Sequence, residues 1–262
     1  MEHHSVATEP DGPAPALRLT GLHKRFGETT AVDHLDLAVP RGSFFGLVGP
    51  NGAGKTTSLS MAVGLLRPDE GSARIFGIDV WADPVAAKRL IGVLPDGMAL
   101  PERLTGRELL TYLGRLRGLD PATVAARAQE LLEVLELTEA ERTLVTDYSA
   151  GMRKKITLAT ALLHTPRLLV LDEPFEAIDP VSAATIRVIL RRFADAGGSV
   201  VISSHVMALV EQLCDHVGVI ARGRLVASGT LDQVRGDGSL DDAFVRLVGA
   251  HITTEGLSWL AS

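Results

Sequence analysis

Cysteine occurs once in this chain of 262 residues, at Cys214. A single thiol excludes a disulfide framework and a thiolate metal cage. Its setting in an apolar helical pattern marks it as a small core residue, and its scarcity suits a reducing compartment. Net positive charge is also lacking. Twenty-six Lys and Arg stand against 32 Asp and Glu, for a formal charge of −6 and a pI of about 5.8. That balance argues against nucleic acid as a partner. No apolar run approaches the roughly 18 to 20 residues needed to span a bilayer. Met1 to Ala16 has no apolar stretch, and it holds Glu2, Glu9, Asp11 and three prolines. This is no signal peptide; it reads as a disordered leader, with His3 and His4 as solvated tail residues. No internal repeat is visible.

What the chain does have is a 46% hydrophobic composition, ample for a core, and one dense motif at residues 44 to 60. Phe44 to Val48 is a short apolar strand. Gly49-Pro50-Asn51-Gly52-Ala53-Gly54-Lys55-Thr56 follows and fills the pattern G-x-x-x-x-G-K-[ST] of a phosphate-binding loop. Phosphate oxygens are crowded and negative, so backbone N–H groups must come close to them. Gly49, Gly52 and Gly54 are expected to clear side chains from that approach and to allow positive φ. The helix opening at Lys55 adds its partial positive charge. Lys55 is expected to reach the β- and γ-phosphates, and the Thr56 hydroxyl to ligate Mg²⁺.

Around this loop the pattern alternates between strand and helix. Strands are expected at Leu17 to Leu22, Ala31 to Val39, Ala73 to Phe76 and Ile91 to Leu94. The helix from Lys55 is expected to run to about Leu66, and Pro84 to Leu90 forms a short helix. Residues 96 to 150 are helical in character. Thr105 and Glu108 form a capping box ahead of a helix at Arg107 to Arg117, and Asp120-Pro121 opens another, to about Leu137. Strands return at Leu168 to Leu171 and Ser199 to Ser203. Helices follow Asp179-Pro180 and span Val206 to Cys214; Val217 to Ala227 reads as a hairpin and Thr230 caps a last helix. The sum is an α/β P-loop NTPase fold with a mostly parallel core sheet, an antiparallel β region and an inserted helical subdomain. The ATPase domain is expected at 17–235, with 236–262 as a tail.

Leu168 to Leu171 is an apolar strand that ends in Asp172-Glu173. Such a strand delivers a carboxylate to the Mg²⁺ beside a phosphate loop, which suits Asp172. Glu173 is then placed to polarise an attacking water.

In this order, the motifs resemble those of the nucleotide-binding subunit of an ATP-binding-cassette (ABC) transporter, and the resemblance runs from about Leu17 to Val234. It implies ATP and Mg²⁺ held by residues 49 to 57, Gly49 through Thr57, with adenine stacked on Phe26 where the family often has Tyr. Tyr148-Ser149-Ala150-Gly151-Met152 stands where the family has Leu-Ser-Gly-Gly-Gln. The resemblance implies that Ser149 and Gly151 bind the γ-phosphate of ATP on the opposite subunit. Ala150 and Met152 depart from the family pattern, in a form similar to drug- and antibiotic-export members. Asp96 replaces the family's usual Gln near Mg²⁺. Asp179 matches the loop that fastens two subunits, and His205 the histidine that contacts the γ-phosphate. Each has a plainer reading: Phe26 as a core aromatic, Asp96 as a solvated acid, Ser149 and Asp179 as helix caps, His205 as a structural histidine.

The function implied is an ATP-hydrolysing subunit that powers an exporter from the cytoplasmic face of the membrane. It would act as a homodimer or heterodimer, with Glu173, His205 and Lys55 catalytic, on a separately encoded membrane-spanning permease. The permease is expected to dock around Asp96 to Arg107 and the helical block. Two other readings compete: a soluble ABC-type ATPase working on a non-membrane assembly, and a weakly hydrolysing regulatory cassette.

Overall fold

The structure is a computed structural model that describes residues 13–97 and 100–249. The first twelve residues of the expected leader, with His3 and His4, and the tail from residue 250 lie outside them. Ala16, which the sequence reading put in the leader, belongs to the folded sheet region. Ala16 is buried; its N–H donates to the Val39 carbonyl (2.9 Å) and its carbonyl accepts from Phe76 (3.1 Å).

Two sheets form the frame. The smaller is antiparallel, in the order β2-β1-β4-β5, from β1 (Leu17–Phe26), β2 (Thr29–Val39), β4 (Glu70–Ile75) and β5 (Ile78–Asp79). The larger has the order β10-β9-β3-β8-β7-β6. Its strands are β3 (Phe44–Val48), β6 (Ile91–Leu94), β7 (Leu168–Leu171), β8 (Ser199–Ser204), β9 (His216–Ala221) and β10 (Arg224–Thr230). All its neighbours are parallel except the β9–β10 hairpin.

The parallel strands are buried on both faces, which explains their unbroken apolar runs. Alternate residues go to opposite cores. Phe44, Val48, Leu169, Leu171, Val200, Ile202, Val217 and Val219 join one core, with Leu109, Leu132 and Ile156 from the helical block. Phe45, Leu47, Leu168, Val170, Val201 and Ile220 join the other, with Leu19, Leu35 and Ile75 of the antiparallel sheet and Leu59 and Met61 of the helix after the phosphate loop.

The helices are α1 (Lys55–Ala62), α2 (Pro84–Leu90), α3 (Gly106–Leu116), α4 (Pro121–Val134), α5 (Ala150–Leu162), α6 (Pro180–Asp195), α7 (Met207–Leu213), α8 (Leu231–Arg235) and α9 (Leu240–Val248). Several bounds differ from expectation by a few residues. Helix α1 stops at Ala62 instead of running to Leu66, because Gly64 turns left-handed (φ 75°). Helix α5 begins at Ala150, with Ser149 as its cap, in keeping with the plainer of the two readings of that serine. Helix α9 lies in the segment the sequence reading left undetermined; its signal is the Ser239/Asp242 capping box.

One buried histidine sets an acid limit. His164 Nε2 lies 2.8 Å from the Ile91 carbonyl oxygen, which can only accept, so Nε2 carries the proton. Its Nδ1 is buried with no partner. Burial first, and then the Arg117 charge, push its pKa down from 6.5 to about 4. The folded imidazole stays neutral at pH values where the unfolded one takes up a proton. This contribution to stability is therefore fully present above about pH 6.5 and is lost as pH falls toward 4. Urea unfolding across this window is expected to show a falling midpoint. His164→Gln is expected to flatten the fall, and an unchanged slope would contradict this role.

Candidate functional site

The parallel sheet brings four loops to one edge. Its registers pair Val48 with Ser204, Leu171 with Ile202 and Leu94 with Leu171. The segments that leave β3, β8, β7 and β6 thus begin side by side at the carboxyl ends of the strands, where α/β sheets place ligands. They carry Gly49 to Thr57, His205, Asp172 and Glu173, and Asp96. A groove of about 560 Å³ opens there, lined by Phe26, Ala31, residues 51 to 57, Asp96, Glu173, Glu176 and His205.

The phosphate loop wraps the start of α1. Helices α2 to α6 each have a side-chain cap, from Asp83, Thr105, Asp120, Ser149 and Asp179. Helix α1 is capped by Gly54, with no side-chain hydrogen bond and no acid in its first turn. Its leading N–H groups stay free of side-chain acceptors at a positive helix end, which suits an anion. The glycine roles differ from the expectation that all three clear a path for phosphate. A Cβ at Gly49 would lie 2.4 Å from the Ile220 carbonyl oxygen, and one at Gly54 2.5 Å from that of Ala31. Both are glycine so that the loop can sit against its own protein. Only Gly52 is open, with φ 77° and nothing within 4 Å of a Cβ. Positive φ is needed at Gly52 and Gly54 and not at Gly49.

Lys55 is buried, and its ammonium donates to the Gly49 carbonyl (2.7 Å) and the Pro50 carbonyl (3.3 Å). It also lies 3.9 Å from Glu173 Oε1. Glu173 Oε2 lies 3.1 Å from His205 Nδ1, so the carboxylate stands between the lysine and the histidine. Glu173 has φ 45°, a conformation that costs a non-glycine residue of order 1–3 kcal/mol and collects at functional positions.

One further residue fixes this arrangement, and the sequence reading passed over it. Ser203 lies level with Asp172 in the β7–β8 register. Its hydroxyl donates to Asp172 Oδ1 and accepts from the Glu173 N–H (2.8 Å). The legible signal was a pair of serines, Ser203 and Ser204, closing a strand right after the apolar run Val200 to Ile202. Asp172 is 3% exposed and sits beneath the groove, while Thr56 is on its wall. A hydroxyl and a hard carboxylate at this place fit Mg²⁺. Asp96 is exposed and lines the groove, and also lines a second groove of about 330 Å³ with Glu176, Ala150 and Arg153.

Ser149, Gly151 and Asp179 are not brought to the nucleotide groove of their own chain. Ser149 accepts the Met152 N–H (3.2 Å), with Ala150 exposed beside it. Asp179 accepts from Val181 (3.0 Å) and Ser182 (2.9 Å) and caps α6. Those Ser182 bonds hold its carboxyl below the usual range. Tyr148 is buried, and its hydroxyl donates to the Ala140 carbonyl (2.8 Å), which anchors the loop from below.

A strand–glycine loop–helix with a carboxylate pair at the end of a second parallel strand, one strand removed across β8, defines a P-loop NTPase. Residues 32–176 match the family described as "ABC transporter". The chain is 41% identical to the daunorubicin/doxorubicin resistance ATP-binding protein DrrA of Streptomyces peucetius, over 85% of this chain and 68% of that one. It is 37% identical to the linearmycin resistance ATP-binding protein LnrL of Bacillus subtilis (strain 168), over 82% and 69%. A solved structure of an ATP-binding subunit of an ABC transporter superposes with a TM-score of 0.83 at 29% identity, covering 88% of this chain and 99% of that one. The chain belongs to the ABC transporter family, as an ATP-binding and ATP-hydrolysing subunit that drives such a transporter.

Ser203→Ala is expected to free both the Asp172 carboxylate and the Glu173 backbone. Stability should fall by about 1–2 kcal/mol, and ATP turnover by on the order of a hundredfold, with ATP affinity changed far less. Turnover within twofold of wild type would show that the serine only fills space.

Proposed function

We propose that the chain is the motor of an exporter, working as one half of a dimer that closes on two ATP molecules. The observation that carries this reading is the division of the site. The phosphate loop, Glu173 and His205 share one groove, while Ser149 and Gly151 stand at a separate exposed helix end. A nucleotide in the groove of one copy would be completed by Ser149 and Gly151 of the other.

The residues divide the chemistry as follows. The N–H groups of Gly52 to Thr57 and the Lys55 ammonium bind the phosphates, which draws Lys55 away from the loop carbonyls. Phe26, 52% exposed at the end of β1, offers its ring to adenine. Mg²⁺, held by Thr56 and Asp172 with Asp96 near it, would neutralise charge on the β- and γ-phosphate oxygens. Glu173 takes the proton of the attacking water, and His205 orients Glu173 and meets the γ-phosphate. Asp179 fastens the two copies.

In this reading the membrane partner is a separate permease; among the described residues no helix is long and apolar enough to cross a membrane. The dimer would work at the cytoplasmic membrane face. An apolar groove of about 280 Å³ suits the docking of a permease segment, with Leu65, Val93, Pro95 and Leu113 in its walls and Arg117 and Lys88 at its rim. It lies beside Pro95 and against the helical block, at one end of the surface the sequence suggested. Asp96 is one residue from this groove and on the wall of the nucleotide groove, so ATP and permease act on the same short segment. Drug- and antibiotic-resistance relatives support export as the direction.

Lys55→Ala is expected to abolish tight ATP binding, read by a fluorescent analogue. Glu173→Gln should lose turnover by roughly 10²-fold or more and form a stable dimer with ATP, read by light scattering. A variant that hydrolyses ATP at wild-type rates would remove Glu173 from the mechanism.

A further inference from the structure

The antiparallel sheet contains an irregularity that the nucleotide site does not use. Leu22 of β1 pairs with Leu35 of β2, but Lys24 pairs with Val32. Two residues of β2, Asp33 and His34, therefore oppose the single residue His23, which is a β-bulge. His34 takes φ 49°, a conformation a non-glycine residue adopts at a cost and one that tends to mark function. On its other side β1 also slips by one residue, so that His23 pairs with Glu70 of β4.

The two slips gather His23, Asp33, His34 and Glu70 from three neighbouring strands. Asp33 Oδ1 lies 2.8 Å from His34 Nδ1 and 3.6 Å from His23 Nδ1. Glu70 Oε2 lies 3.6 Å from His34 Nε2. His23, Asp33 and His34 each offer one ligand atom, all within 4.8 Å of one another. His23 Nδ1 is buried and makes no hydrogen bond. The second Asp33 oxygen, Oδ2, accepts from Arg224 Nε at 2.7 Å. That bond fixes the carboxylate with Oδ1 turned to the imidazoles, as an outer partner orients a metal ligand.

We propose that His23, Asp33 and His34 form a binding site for a divalent first-row transition cation of the zinc type, with solvent as the fourth ligand and Glu70, on the Nε2 side of His34, as the outer partner that orients its ring. Tetrahedral zinc, with bonds near 2.0–2.1 Å, sets its ligand atoms about 3.3 Å apart. The 3.6 Å pair needs to close by a few tenths of an ångström and the 2.8 Å pair to open by about as much. The cation takes the place of the proton that now joins His34 to Asp33. Two imidazoles select zinc-type ions over Mg²⁺ and Ca²⁺, which prefer all-oxygen shells. The site is therefore distinct in chemistry from the Mg²⁺ place beside Thr56. His34 is 62% exposed and gives the ion a way in.

The position gives the ion a structural consequence. The Asp33 N–H donates to the Gly223 carbonyl (2.9 Å), and the Gly223 N–H donates to the Ala53 carbonyl in the phosphate loop (2.9 Å). A cation held between β1 and β2 would stiffen the support of that loop.

The test uses untagged full-length protein titrated with ZnCl₂ against a zinc-chelating dye, in excess Mg²⁺. One Zn²⁺ per chain is expected, with sub-micromolar affinity and a raised Tm. Co²⁺ in its place should give a visible ligand-field band. His34→Asn keeps a residue that tolerates positive φ and removes a ligand; its affinity should fall by at least about tenfold, with Tm in EDTA unchanged. Glu70→Gln should weaken binding less. A double His3→Ala, His4→Ala variant should bind as wild type does. No bound Zn²⁺, undiminished affinity in His34→Asn, or loss of binding in the His3, His4 variant would each overturn the proposal.

Discussion

The site depends on how closely the phosphate loop is seated against its own sheet. Gly49 rests on the Ile220 carbonyl of β9, and Gly54 on the Ala31 carbonyl of β2, at distances that exclude any Cβ. These contacts fix where α1 starts, and so where its uncapped N–H groups and Lys55 point. A methyl group at either position would lift the loop from its seat. The loop would then lose its geometry toward Glu173 and His205, whose places are set independently by β7 and β8. Catalysis at this edge is a matter of two rigid supports meeting, and the glycines are the joint.

The second support is the buried hydrogen-bond bridge through Ser203. A carboxylate such as Asp172, 3% exposed at the end of an apolar strand, needs a hydrogen-bond partner to offset its lost hydration. Ser203 supplies a donor to it and an acceptor to the next backbone N–H. One hydroxyl thereby sets the direction of two successive acids: Asp172 inward, Glu173 toward the groove. The left-handed turn at Glu173 makes that divergence possible.

Much of this was legible in the sequence, for physical reasons that differ from place to place. Apolar strands followed by glycine or acid punctuation read plainly, because parallel strands buried on both faces have no polar face to confuse the pattern. The caps at Thr105, Asp120, Ser149 and Asp179 read as well, since capping is local. The reason for each loop glycine did not. Gly49 and Gly54 answer to Ile220 and Ala31, residues remote in sequence or in another sheet, and no local rule reports such a contact. Ser203 escaped for the same reason: its partner Asp172 is a register neighbour, thirty-one positions away. The end of α1 at Ala62 was available in Gly64 and was outweighed by the apolar residues beyond it. The bulge at Asp33 and His34 is a property of pairing between strands, so neither strand alone announces it.

The central claim is that one chain holds only half of each working site. The groove supplies Lys55, Glu173 and His205, and in the proposed dimer the helix end at Ser149 comes from a second copy. The most direct test is the ATP turnover per subunit as the protein concentration is varied at saturating Mg-ATP. The account predicts turnover per subunit that climbs with concentration and levels off once the dimer saturates. Turnover per subunit that is appreciable and constant down to concentrations where only monomer is present would contradict it.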